Sequence, residues 1–210
     1  EWQHCHCKWN MEHNLMSTLS IKELSHPSGE VIKIAAGKTL DLNSQGSVTM
    51  PTGSVLQVVS VTKVDTWTYT GSTTFQDVTG LSIAITPSST SSKILVELNI
   101  NLSASSRYSA VKLFRDSTQI GGGTAVGNRP SVSVAGGGNN DETNQTYVML
   151  NSSTSYLDSP NTTSATTYKV QAGNTNNTSS VTYINRSMDD TNANYSHRGS
   201  STLTITEIAQ

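Results

Sequence analysis

The densest group of reactive side chains in this chain of 210 residues stands near its C-terminal end. Asp189, Asp190, Tyr195, Ser196, His197, Arg198 and Ser200 fall within one short stretch. Carboxylate, imidazole and hydroxyl are the parts of a nucleophilic triad. A triad, however, needs nucleophile, base and orienting acid within hydrogen-bond reach, and closeness along a loop does not supply that geometry. Paired carboxylates could instead cleave a glycosidic bond across a groove at a defined separation. The acidic candidates Asp141, Glu142, Asp158, Asp189 and Asp190 are scattered over several predicted loops. Calcium would suit the pairs Asp141/Glu142 or Asp189/Asp190, since hard cations take clustered oxygen ligands. No D-x-D-x-D-G loop accompanies either pair. No catalytic residue, metal or cofactor is therefore expected. Binding is the better prospect. Tyr195, His197 and Arg198 combine a stackable ring, a titratable group and a fork-shaped donor, a mix suited to sugars or surface polymers. With Asp189 and Asp190 beside them, they are the candidates for receptor contact. Gly121–Asn144 and Asn174–Asn177 are further candidate contact loops.

A second reactive group opens the chain. Cys5, Cys7, His4 and His6 offer soft thiolates and imidazoles to zinc or copper. C-x-C is not the usual zinc-knuckle spacing, no second Cys/His pair follows, and a Cys5–Cys7 disulfide would close a strained loop. Residues 1–15 read more simply as a leader or atypical N-terminal segment, with Met16 as the natural start; a peripheral anchoring segment is the alternative.

Composition narrows the function classes. Hydrophobic residues make up 34% and charged residues 13%, both low for a globular protein. So modest an apolar supply favours interfaces between copies that share burial. A formal net charge of −2 leaves no basic footprint for nucleic acid or an anionic membrane. No apolar run approaches the ~18–20 residues that span a bilayer, and no secretion signal is recognisable.

The elements that must position these groups are strands. Leu81, Ile83 and Ile85 alternate along one run, and Ile94, Val96, Leu98, Ile100 and Leu102 along the next, so each run has one apolar face. Pro87 to Ser92 separates them, and the simplest expectation is an antiparallel hairpin with a six-residue loop. On the second run Leu95, Glu97, Asn99 and Asn101 form the other, mostly polar face. Further strands are predicted at Thr73–Val78, Tyr108–Arg115, Thr118–Ile120, Ser131–Val134, Thr146–Leu150, Thr166–Gln171, Ser180–Asn185 and Ser201–Ile208. Trp67 and Tyr69 are placed in a polar loop. Short strands separated by turn-rich segments, with no helix of useful length, predict an all-β fold: a jelly-roll-like β-sandwich head over 53–210.

Residues 16–52 read as an attachment and β-stalk region. Ile32/Ile34, Leu40/Leu42 and Val48/Met50 supply apolar pairs between Gly turns. Such pieces bury little alone and make sense if identical chains wrap together, as in an intertwined homotrimer; a hairpin lying on the sandwich is the alternative. Val55 to Val64 is apolar on both faces, so one cover is the sandwich and the other a neighbouring subunit. Ile32, Ile34, Leu40, Leu42, Val55, Val58, Val59 and Val61 are the trimer-interface candidates.

Several stretches carry a family resemblance. They are GlyLysThrLeuAspLeuAsn, the segment from SerValThrMetProThrGly to LeuGlnVal, GlyLeuSerIleAlaIleThrProSerSerThrSerSerLysIleLeuVal, LeuPheArgAspSerThrGlnIleGly, LeuAspSerProAsnThrThrSerAlaThrThrTyrLysValGln and SerThrLeuThrIleThrGluIle. Over residues 16–210 the chain resembles the tail-fibre-like virion structural proteins of tailed, marine-type bacteriophages. The resemblance implies a trimeric tail fibre or spike on the virion surface, made in the host cytoplasm. Its partners would be itself, other virion proteins and a host-surface glycan or protein, with no nucleic acid and no membrane insertion. A capsid-attached decoration or head fibre is the alternative, and a glycan-active spike enzyme a third reading. The resemblance brings no catalytic motif.

Overall fold

In the computed structural model, residues 36–37, 50–71, 73–105, 108–136, 145–176 and 180–210 are described. The chain divides into two units, Glu1–Val48 and Thr49–Gln210. Of the first, only the turn at Ala36 and Gly37 is described. The leader, Ile32, Ile34, Leu40 and Leu42 lie outside the described residues, as do Asp141 and Glu142.

The second unit is all-β. Its strands are β1 (Val55–Lys63), β2 (Trp67–Thr70), β3 (Phe75–Ile85), β4 (Lys93–Ala104), β5 (Ser109–Arg115), β6 (Thr118–Ile120), β7 (Val134–Ala135), β8 (Leu150–Asp158), β9 (Thr166–Asn174), β10 (Val181–Ile184) and β11 (Ser201–Ile208). They form two antiparallel sheets, a β-sandwich. In the first sheet β1 pairs with β11 and β2 with β10, while β11 and β10 share one edge of β4. β8 takes the other edge of β4. β1 and β2 are thus one interrupted row, and β11 and β10 a second, so the sheet has four rows. The second sheet runs β3-β9-β5-β6, with β7 also on β5.

Period-two alternation builds the core. Ile94, Val96, Leu98, Ile100 and Leu102 of β4 are buried, as are Leu203 and Ile205 of β11. They share one cluster with Val111 and Leu113 of β5, Tyr168 and Val170 of β9, and Val78, Leu81 and Ile85 of β3. Val78 and Leu81, three apart, both point inward because a bulge shifts the β3–β9 register between Asp77 and Ser82. Gly80 sits in it with φ +87°, a conformation open chiefly to glycine.

Three expectations need correction. The runs 81–85 and 94–102 are not a hairpin: β3 pairs with β9 and β4 with β8, β10 and β11, so the Pro87–Ser92 segment crosses from one sheet to the other. Both apolar faces are satisfied more fully by facing one another across the sandwich. Trp67 and Tyr69 are not in a loop but in β2, their rings stacked with centroids 5.9 Å apart. Thr146–Leu150 is mostly not a strand; Gln145–Tyr147 is a 3-10 turn, and the strand is the Ser/Thr-rich stretch that follows.

Two buried carboxylates pin the connections. Glu207 is fully buried beneath the crossover; Gln57 Nε2 donates to it at 2.6 Å, and Ser88 N and Oγ each at 2.7 Å. Burial works to raise its pKa, but these donors hold it below the ordinary carboxylate value. Asp158 ends β8, where Arg115 Nη1 reaches its two oxygens at 2.8 and 2.9 Å and the Tyr168 hydroxyl donates at 2.7 Å. Burial, then the hydrogen bond to Asp158 and its charge, pushes the Tyr168 phenol well above its ordinary value.

Candidate functional site

The interruption between β10 and β11 is the excursion that holds the reactive group found in the sequence. Its base is Asn185, fully buried and in the left-handed region at φ 63°. Its N–H donates to Asn101 O at 3.0 Å. Its amide donates to the carbonyls of Lys63 at 2.8 Å and Asp65 at 3.1 Å, closing the gap between β1 and β2. Ser201 Oγ donates to Asn185 Oδ1 at 2.6 Å and accepts from Asn101 N at 3.0 Å. Gly199 closes the neck: a Cβ there would meet Met149 Cε at 2.7 Å. The two sides of the neck thus carry an asparagine, a residue type that tolerates positive φ, and a glycine packed against the Met149 side-chain tip.

Above the neck, Arg186 organises the loop. Its Nε donates to Ser187 O at 2.9 Å and its Nη2 to Met188 O at 2.7 Å, and its guanidinium lies 4.7 Å from the centre of the Tyr183 ring. Arg186 Nη1 also reaches Asp190 at 3.1 Å, and Arg198 pairs with the other oxygen of the same carboxylate. The Arg198 hydrogen bond is the main cause that holds the Asp190 carboxyl below the usual range. Asp189 is lowered first by the Thr191 side-chain hydrogen bond, then by the Thr191 N–H at 2.7 Å and Ser196 Oγ at 3.2 Å. His197 Nδ1 lies 3.1 Å from Tyr147 O, and Tyr195 meets Tyr147 edge-on with ring centroids 4.9 Å apart.

The structure therefore gathers Asp189, Asp190, Tyr195, His197 and Arg198 into one excursion but gives them different work. Asp189 and Asp190 are tied to the loop's own donors. His197 faces a carbonyl and has no hydrogen bond to Ser196, Asp189 or Asp190 among the described residues, so no nucleophile–base–acid line is drawn. Tyr195 and Arg198 are exposed, with the Arg198 side chain 54% accessible. Asp190, Thr191, Asn192, Ser196 and Arg198 border an open depression of about 210 Å³. Its lining offers hydroxyls, an amide and a guanidinium, with Arg198 paired to Asp190 and Ser196 bonded to Asp189.

A broader groove of about 480 Å³ lies on the outer face of the first sheet, lined by Glu97, Asn99, Ser153, Ser155, Thr202 and Thr204. The sequence placed Glu97 and Asn99 on a polar face; the serines come from β8, whose alternation of small polar residues gave no signal. Of the β1 interface candidates, Val59 and Val61 pack against their own core, whereas Val55 and Val58 are exposed at 55% and 57%. No helix among the described residues is long and apolar enough to cross a membrane.

No protein-family model and no curated protein matches the chain. Among solved structures it is similar to one of infectious bursal disease virus, Gx strain, at 13% identity and a TM-score of 0.32, over 82% of this chain and 42% of the other. The chain thus spans less than half the length of that protein.

Proposed function

We propose that the chain is a virion structural protein, the jelly-roll head of a trimeric tail fibre or spike that meets the host surface through the Asn185–Ser200 excursion. The jelly-roll reading is supported by the order of pairing. Counting rows along the chain, the first pairs with the last (β1 with β11), β3 with β9, β4 with β8, and β5 with β6. That is one long hairpin rolled up so that successive pairs fall in alternate sheets. The sequence resemblance over residues 16–210 supports a fibre or spike.

The observation that carries the attachment reading is the division of labour in the excursion. A buried neck and two internally paired carboxylates fix the loop, while Tyr195 stays exposed on it and Arg198, although paired with Asp190, keeps an accessible side chain at the rim of an open depression. Fixing a binding loop before contact lowers the entropy lost on binding, and three copies would multiply a weak contact by avidity. The test has two arms. Antibody to the purified chain, imaged on intact particles, should label the tail tip; label on the capsid shell would move the chain to the decoration-fibre reading. Fluorescently labelled protein should bind host cells, and Tyr195→Ala/Arg198→Ala should lose that binding while melting as the wild type does. Unchanged binding by that variant would remove the excursion from the contact.

A further inference from the structure

We propose that an apolar stripe across the outer face of the first sheet is the seam on which a second copy of this chain sits. The inference rests on the trimeric reading above and names its surface. The pairing register places Val58, Thr206, Leu95 and Leu157 side by side across all four rows. The next row toward the crossover is Val55, Ile208 and Lys93. Val55, Val58 and Leu157 are each more than half exposed. The stripe runs from one edge of the sheet to the other, broken in its first row by Thr206, and the inner faces of the same strands are already filled by the core. Rows farther along this face are polar: Ser60, Thr204, Glu97 and Ser155, then Thr62, Thr202, Asn99 and Ser153. Among the rows shared by β1, β11, β4 and β8, the apolar character is confined to the end nearest the crossover.

Two observations point to another copy as the occupant. First, the chain joins the head at this end. Gly53 N donates to Ala209 O and Ala209 N to Ser54 O, immediately before Val55, so the first residues of the head are held next to the stripe. Copies held together through those residues would bring their stripes to a common axis. Second, the stripe is flanked on the same face by Lys93 on one side and Glu97 on the other. Lys93 bonds only the Ser159 hydroxyl, and Glu97 has no ion-pair partner among the described residues. A neighbour turned about a threefold axis that runs along the stripe can set its lysine side against this glutamate side, a head-to-tail contact that closes after three copies.

The experiment is sedimentation velocity and native mass measurement on the full chain, with Leu157→Glu and Val58→Glu, and with Thr118→Glu on the other sheet as control. Wild type and control should be trimers, and each stripe variant should associate about 10-fold more weakly or worse, because a carboxylate would be buried without a partner. Thermal melts, and the uncharged pair Leu157→Ser and Val58→Ser, separate loss of association from loss of fold. A wild-type trimer unmoved by all four stripe variants overturns the seam and leaves the trimer standing. A monomeric wild type overturns both. An assembly of another size that the variants dissolve keeps the seam and removes the threefold reading.

Discussion

Residue chemistry in this protein is spent mainly on fixing loops. Glu207 is the clearest case, a buried anion held by three neutral donors rather than by a cation. Its folded pKa is depressed, so the stability it contributes is complete above the unfolded-state value and is lost as pH falls through the folded one. Melting temperature should therefore fall as pH drops below about 4.3, and Glu207→Gln should flatten that acid limb while costing about 1–3 kcal/mol at neutral pH through its unmatched donors. Equilibrium unfolding across that range checks both. Arg115→Ala should be costlier, about 3 kcal/mol, since it strands the buried Asp158 carboxylate. Asn185→Ala removes two donors to β1–β2 carbonyls and places alanine at positive φ; about 2 kcal/mol of stability should go with it, measured in the same way.

At the scale of elements, replacing Met188–Arg198 with a short Gly-Ser link should leave the far-ultraviolet circular dichroism of the sandwich intact, because the neck bonds of Asn185, Gly199 and Ser201 lie outside the deleted span. Loss of the β signal would show that the loop helps to hold β10 and β11 on β4. How much was legible in the sequence also divides by element. β11 was read at its full length because Leu203 and Ile205 alternate with Thr202, Thr204 and Thr206, one face to the core and one to water. β4 was nearly as clear. β8 was missed because an edge strand with Ser152, Thr154, Ser153 and Ser155 carries no contrast between its faces. The false hairpin at Pro87 has a different cause. Local alternation specifies a strand's apolar face but not its neighbour, and a six-residue polar link serves a ladder or a crossing equally well. The loop candidates Tyr195, His197 and Arg198 were readable by type; that Asp190 is occupied by Arg186 and Arg198, and Asp189 by Thr191 and Ser196, was not, because the way the loop folds back on itself is not encoded in residue type or spacing.

For the molecule as a whole, the rolled-up pairing makes nearly every ladder a long-range one, with Val55 opposite Ile208 as the extreme. Such topologies fold slowly, so refolding of Thr49–Gln210 in stopped flow should take milliseconds to seconds. The same arrangement sets how the head resists force. Gly53 and Ala209 lie at one end of the β1–β11 ladder, and Lys63 opposite Ser201, beside the excursion, at the other. A pull between Gly53 and Ala209 opens that ladder one rung at a time, like a zip. A pull between Gly53 and the excursion runs along the strands and loads all the rungs together in shear, so a single-molecule tether drawn along that line should meet much the greater resistance.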